Sequence, residues 1–322
     1  MNTLNSHSPS LIWLENTFLK ASVLPGVGAK ILDLIDCRTG RNFLWHNPRI
    51  LPQSYPIEAN FDNYWCGEWD DAFPTCETCV HNGEQYPNLG ELRSIAWAID
   101  SVNSSGPEPR VSMHSFGPIS PVRAEKTIRL TENSIEISFR IENVSTFPLD
   151  FIWGTHPAYA VEPGCKIHIP AATGIVGQSN NRLLGSPGQT YAWPILDPAG
   201  NGTDMSLVPS LEASYAGHYA TDLTAGWYAI EHPENQGGLL FEFPLEICPV
   251  LWLWLSYGGW RGYYLAVIEP WTGYPVTLSD AVARNAHCVL RPGTPFQCTV
   301  RATLWTSPVT LEELLTERKY RR

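Results

Sequence analysis

Cationic side chains are scarce in this sequence: 21 Lys and Arg stand against 32 Asp and Glu, a formal net charge of −11 over 322 residues. No basic stripe offsets that balance, so phosphate backbones and anionic lipid are repelled, and neither nucleic acid nor a membrane is expected as a partner. Long apolar runs are missing too. The longest, around residues 249–255, is far short of the roughly 20 residues of a spanning helix. The opening MNTLNSHSPS has no basic region leading into an apolar one, and the expectation is a soluble cytoplasmic protein. No glycine-rich run ends in GK[ST] or completes G-x-G-x-x-G before a helix, which leaves nucleotide binding without a motif. A G-x-S-x-G elbow is absent, which argues against an α/β-hydrolase serine nucleophile. The strand and helix patterns do not alternate, so a doubly wound or α/β-barrel fold is not expected. The eight cysteines are scattered in a chain too large to need cross-links, and reduced thiols are expected. Cys76, Cys79 and His81 have a zinc-like C-x2-C spacing with a following histidine, but a second ligand pair is missing. The expectation there is buried thiols and no metal.

What the sequence does have is aromatic and turn residues: 13 Trp, 13 Tyr, 11 Phe, 25 Gly and 27 Pro. Such a composition favours strands joined by turns, and it also supplies flat apolar faces on which sugars stack. Residues 134–142 alternate apolar Ile135, Ile137, Phe139 and Ile141 with polar neighbours, the pattern of a half-buried antiparallel strand. Residues 124–130 alternate more weakly, and Thr131-Glu132-Asn133 between the two segments predicts a hairpin. Further strands are predicted at 10–15, 17–24, 29–36, 149–153, 166–170, 226–231, 239–243, 250–256, 263–268, 287–290 and 296–304. Helical period is confined to 278–284 and 310–318. The expected architecture is all-β: two large, mainly antiparallel stacked sheets with one or two short helices, a single domain over residues 1–322. Residues 45–87 read as irregular, too long for an ordinary connection and too aromatic for disorder, which marks a functional loop. Residues 181–205 read as an excursion within the one domain.

Two polar residues stand out against apolar strands. His156 precedes Pro157 near the end of one strand, and the proline favours extended backbone at the histidine. It reads either as a structural histidine or as a rigidly held acid or base. Glu269 ends an apolar run and is followed by Pro270 and Trp271. Burial beside apolar neighbours would lift its pKa toward neutrality, as a general base needs; the other reading is a turn cap with its head in water. Trp252 and Trp254 share a strand face, with Trp260 close behind, either as core or as a stacking floor for a sugar.

Several segments together resemble the aldose 1-epimerase family, the galactose mutarotase-like proteins. They are Leu14-Glu15-Asn16-Thr17 through Leu24-Pro25, Thr39 to Trp45, Gly67-Glu68-Trp69-Asp70-Asp71-Ala72-Phe73-Pro74, His156-Pro157-Ala158-Tyr159, Glu269-Pro270 and Leu290-Arg291-Pro292-Gly293. In order and spacing they cover essentially the whole chain. The resemblance implies a β-supersandwich with a concave sugar site that needs no cofactor. It further implies Glu269 as the base that deprotonates the anomeric hydroxyl and His156 as the acid that protonates the ring oxygen; Asp70, Arg93 and Trp254 are the candidates for sugar contacts. One departure is Leu89, which stands where relatives often carry a second histidine; Glu91, Arg93 and His81 are the nearby candidates to compensate. The implied function is an aldose 1-epimerase acting on a small-molecule sugar. The competing reading is a non-catalytic carbohydrate-binding or sugar-sensing protein on the same fold. A third, a glycoside hydrolase or lyase, needs a second carboxylate about 5–10 Å from Glu269, for which Asp70, Asp71, Glu91 and Glu162 are available. A phosphorylated sugar would need converging cations; Arg93, Arg182, Arg261 and Arg284 are the candidates.

Overall fold

A computed structural model describes residues 10–181, 184–197, 200 and 202–320; Arg182 lies outside the described residues. The alternating segment forms strand Ser134–Asn143, paired antiparallel with Val122–Thr131 so that Ser134 faces Thr131 across a tight turn. The turn residue Glu132 takes a positive φ of 48°, as two-residue hairpin turns that match the strand twist require. This hairpin lies within an eight-stranded sheet in the order Lys166–His168, Trp227–Glu231, Gly238–Glu242, Phe296–Trp305, Ser134–Asn143, Val122–Thr131, Arg110–Phe116 and Ala98–Asn103. Facing it is a ten-stranded sheet: Ile12–Glu15, Leu19–Leu24, Lys30–Asp36, Trp69–Ala72, Gly154–Tyr159, Tyr264–Trp271, Val250–Tyr257, Ser214–Leu223, Ala171–Ser179 and Thr190–Ala192. Every neighbouring pair in both sheets is antiparallel. The expected all-β sandwich is what the chain forms.

The core explains why some strands lack alternation. Leu251, Leu253 and Leu255 join the apolar cluster between the sheets, whereas Val250 and Trp252 belong to a second buried cluster on the outer face of the ten-stranded sheet. A strand covered on both faces reads as a continuous apolar run. That outer cover is the long segment expected to be functional: it brings Phe61, Trp65 and Cys76 onto the sheet. The segment is less irregular than its sequence suggests, because strand Trp69–Ala72 inserts between Lys30–Asp36 and Gly154–Tyr159. Hydropathy missed this strand because its centre is Asp70-Asp71. Both carboxylates are buried and neutralised by buried lysines, Lys30 at 2.8 Å from Asp70 and Lys126 at 2.5 Å from Asp71.

Two further boundaries move. Glu269 and Pro270 do not follow the end of their strand; they lie inside Tyr264–Trp271, opposite Trp252 and Leu251. His156 likewise sits inside Gly154–Tyr159 rather than just past a strand. The two short helices are Leu278–Ala283 and Leu311–Tyr320. In the 181–205 excursion, Thr190–Ala192 forms an edge strand and Ile195–Leu196 pairs with Thr203–Asp204.

Candidate functional site

Strand register assembles the site. Ile31 pairs with Trp69, which places Lys30 opposite Asp70, and Asp70 pairs with His156. The pairs Gly154–Trp271 and Ala158–Val267 set His156 opposite Glu269, and Glu269 pairs in turn with Trp252, which pairs with Tyr219. Directly opposed residues project from the same face of a sheet. The outer face therefore carries one continuous row across six strands: Lys30, Asp70, His156, Glu269, Trp252, Tyr219. Residues distant in sequence are thus held by backbone hydrogen bonds rather than by loops.

At the centre of the row, His156 Nε2 stands 3.9 Å from Glu269 Oε1. Both residues are buried, His156 at 8% exposure and Glu269 at 1%. Burial pushes His156 down to about 4, against the attraction of neighbouring Asp70 for its charged form. Burial also pushes Glu269 well above the usual carboxylate range, opposed by a 3.1 Å hydrogen bond that Trp271 Nε1 donates to Oε2. Burial therefore favours the neutral form of each group, the imidazole uncharged and the proton on the carboxyl. His156 Nδ1 is buried without a partner. Around the imidazole, Phe61 and Trp65 stand edge-on at 6.3 and 5.9 Å between ring centres.

The pair opens into a cavity of about 200 Å³, smaller than the roughly 300–1,000 Å³ of drug-sized ligand sites and suited to one small ring. Five aromatic residues contribute to its walls: Phe61, Trp65, Trp252, Trp254 and Trp260. Polar groups come from Asp62, Glu77, Asn88, Gln178 and Tyr215. Two glycines shape the floor. A Cβ on Gly217 would lie 2.6 Å from Trp252 Cζ2, and one on Gly177 2.7 Å from Trp252 Cη2. The indole can lie over these two strands only because both positions lack a side chain.

The expected site residues fall into two groups. His156, Glu269 and Trp254 line the cavity together. Asp70 and Arg93 do not. Asp70 is fully buried and paired with Lys30, which also binds Glu68 at 2.8 Å. Arg93 is buried behind the wall, donating to Tyr55 Oη at 2.6 Å and to the Asn88 carbonyl and lying 4.8 Å from the Phe61 ring centre. Leu89 lines the cavity with its backbone at φ 56°. None of the groups considered as its replacement reaches the lining: Glu91 accepts from the Ile119 and Ser120 backbone N–H groups, and His81 pairs with Asp150. Nor do Asp71 and Glu162. The carboxylates that share the cavity with Glu269 are Asp62 and Glu77, which sequence reasoning passed over; they lie in the aromatic loop, whose length was the available signal. Arg261 is engaged by Asp62 and Asn63, and Arg284 follows helix Leu278–Ala283. Among the described residues no Lys or Arg lines the cavity. The C-x2-C segment does not converge, since Cys79 bonds Thr75 and His81 turns to Asp150.

No family model matches the chain. Solved structures do match in fold. The Slr1438 protein of Synechocystis sp. PCC 6803 superposes with a TM-score of 0.71 at 17% identity, covering 95% of this chain and 99% of its own. A galactose mutarotase-like protein from Lactobacillus casei ATCC 334 gives 0.65 at 15%, covering 92% and 100%. A galactose mutarotase related enzyme from Lactobacillus acidophilus gives 0.63 at 16%, covering 94% and 100%. With two stacked antiparallel sheets and coverage that spans nearly its whole length, the chain has the fold of the galactose mutarotase-like proteins.

Proposed function

We propose that the protein is an aldose 1-epimerase, with Glu269 and His156 as its acid–base pair and an unphosphorylated aldose as its substrate. The observation that carries this reading is the 3.9 Å approach of His156 Nε2 to Glu269 Oε1 inside an aromatic cavity. Mutarotation removes a proton from the anomeric hydroxyl and supplies one to the ring oxygen, so the pair must hold one proton in total. Burial, which favours the uncharged imidazole and the protonated carboxyl, supports that number. The pair's working form is the tautomer with the proton on His156, which the hydroxyls of a bound sugar favour by solvating both charges. Glu269 then accepts the hydroxyl proton, His156 protonates the ring oxygen, and the bond from carbon 1 to the ring oxygen breaks to give the open-chain aldehyde. Rotation about the carbon 1 to carbon 2 bond and closure on the other face, with both protons returned, yields the opposite anomer. Trp252, Trp254 and Trp260 offer apolar faces for the pyranose.

The substrate class follows from the charge of the walls. A phosphate needs converging cations, whereas the described lining offers Asp62 and Glu77 and no Lys or Arg. The test is polarimetry on freshly dissolved α-glucose and α-galactose. The wild type accelerates the approach to anomeric equilibrium, and Glu269→Gln lowers kcat by about 10²- to 10⁴-fold. Wild type indistinguishable from buffer over a broad sugar panel, with sugar binding still measurable, would establish a binding protein instead.

A further inference from the structure

We propose that Glu162, Cys165 and His232 form a binding site for a zinc-class divalent metal ion, separate from the sugar cavity. The three residues come together by register. Glu162 and Cys165 bracket a turn closed by the Cys165 N–H donating to the Glu162 carbonyl at 3.0 Å, and that turn leads into the edge strand Lys166–His168. Lys166 pairs with Glu231, so the next residue of the partner strand, His232, comes to lie beside Cys165. His232 Nδ1 is 3.4 Å from Cys165 Sγ and 2.9 Å from Glu162 Oε1, and the three candidate ligand atoms all lie within 4.8 Å of one another. None of the three lines the sugar cavity.

One of those separations matches a tetrahedral ion and a second comes near it. Zinc bonds of about 2.3 Å to sulfur and about 2.0–2.1 Å to nitrogen and oxygen place tetrahedral ligand atoms roughly 3.3–3.6 Å apart. The sulfur-to-nitrogen edge already fits. The nitrogen-to-oxygen edge must open by about half an ångström, which Glu162 allows because 44% of its side chain is exposed. Thiolate, imidazole and carboxylate together select zinc and its soft neighbours over magnesium or calcium. Three protein ligands, one of them at the surface, leave the fourth position to water. The imidazole is held in place: Phe43 stands edge-on to it at 5.6 Å, and the His232 N–H donates to the Gly237 carbonyl at 2.9 Å. Without a metal His232 Nδ1 carries the proton that it donates to Glu162 Oε1 at 2.9 Å; to bind the ion through Nδ1 the imidazole takes the tautomer with its proton on Nε2. On binding, the Cys165 thiol releases its proton to solvent and the sulfur-to-metal bond forms. One group opposes the cation: Arg41 lies 3.1 Å from Glu162 Oε1. The bound metal would clip the edge strand to its neighbour and stabilise the sheet by mass action.

The test titrates Co(II) alone, then Zn(II) alone, into the chelator-stripped, reduced full chain. One equivalent of Co(II) should give a near-ultraviolet thiolate-to-cobalt charge-transfer band that Zn(II) removes by displacement, and Zn(II) should raise the unfolding midpoint. Cys165→Ser should abolish the band, and His232→Gln should weaken binding by at least about tenfold. Cys79→Ser should leave the band in place. Arg41→Gln should tighten binding about two- to fivefold, the range set by removing one exposed charge pair. That gain does not depend on the Cys165 variant folding. No band in the wild type, a band that survives Cys165→Ser, or binding unchanged in both His232→Gln and Arg41→Gln would overturn the site. Because the readout is spectroscopic, it is independent of whether the sugar cavity turns over any aldose.

Discussion

Replacing His156 by glutamine should change how stability depends on pH, by an amount the structure sets. An unfolded chain protonates this histidine below about 6.5, whereas burial holds the folded residue neutral down to about 4. Between those limits the unfolded state binds a proton that the folded state does not, so folding stability contributed above pH 6.5 is lost as pH falls toward 4. The gap between the two values corresponds to about 3 kcal/mol. Beside Glu269, 3.9 Å away, the charged groups acting on the imidazole are Asp70, which favours its charged form, and Lys30 and Arg93, which oppose it. All three stay in place in His156→Gln. The assay is urea unfolding of wild type and variant at intervals from pH 7.5 to 4. Relative to the wild type, the variant should gain about 3 kcal/mol across that window, with the gain levelling off near pH 4 as the folded histidine also protonates. Other titrating groups are common to both proteins and cancel in the difference. Parallel curves would refute the claim that this histidine folds uncharged, and a variant losing stability at low pH would show that Asp70 holds it protonated.

Three further outcomes follow from the same geometry. Gly217→Ala places a Cβ 2.6 Å from the Trp252 ring; it should lift the indole into the cavity, raise KM in polarimetry and cost about 1–3 kcal/mol in unfolding. Lys30→Met leaves Glu68 and Asp70 buried without their shared cation; it should destabilise the fold by about 3–5 kcal/mol, measured by urea denaturation, while Lys30→Arg loses less. Glucose 6-phosphate should be a poorer substrate than glucose, since Glu77 and Asp62 line the cavity while Arg261, the cation beside Asp62, is not among the lining residues. A preference for the phosphate in competition polarimetry would contradict the reading of the walls.

The sandwich was legible wherever strands have one wet face. Residues 134–142 announce themselves because Glu136, Ser138 and Arg140 alternate with core residues. Strand Trp69–Ala72 was not legible, because the information that makes it a strand sits in Lys30 and Lys126, distant in sequence, whose charges make Asp70 and Asp71 tolerable inside. Strand ends failed for a related reason. Glu269-Pro270 looks like a terminus because a carboxylate and a proline are both unfavourable within a sheet. The chain nevertheless continues through them to Trp271, and the Glu269 carboxyl is embedded among the strands.

The same physics explains why His156, Glu269 and Trp254 line the cavity while Asp70 and Arg93 do not. Local pattern identifies a polar residue that interrupts an apolar strand, but not which way its charge is balanced. Asp70 sits in the same row as His156 and differs from Glu269 only in having a buried lysine beside it. Lys30 provides Asp70 with a counter-ion, whereas the carboxyl of Glu269 has only the indole N–H of Trp271 and an uncharged imidazole. Burial without a counter-ion raises a carboxyl pKa, so of the two acids that flank His156 in the row one forms a buried ion pair with Lys30 and the other is held well above the usual carboxylate range. The row's single cation, Lys30, stands at the first of its six positions and pairs with the second, one strand short of the histidine. Extending the positive charge by one strand would pin the proton count of the pair and leave Glu269 ionised, a weaker base for the anomeric hydroxyl.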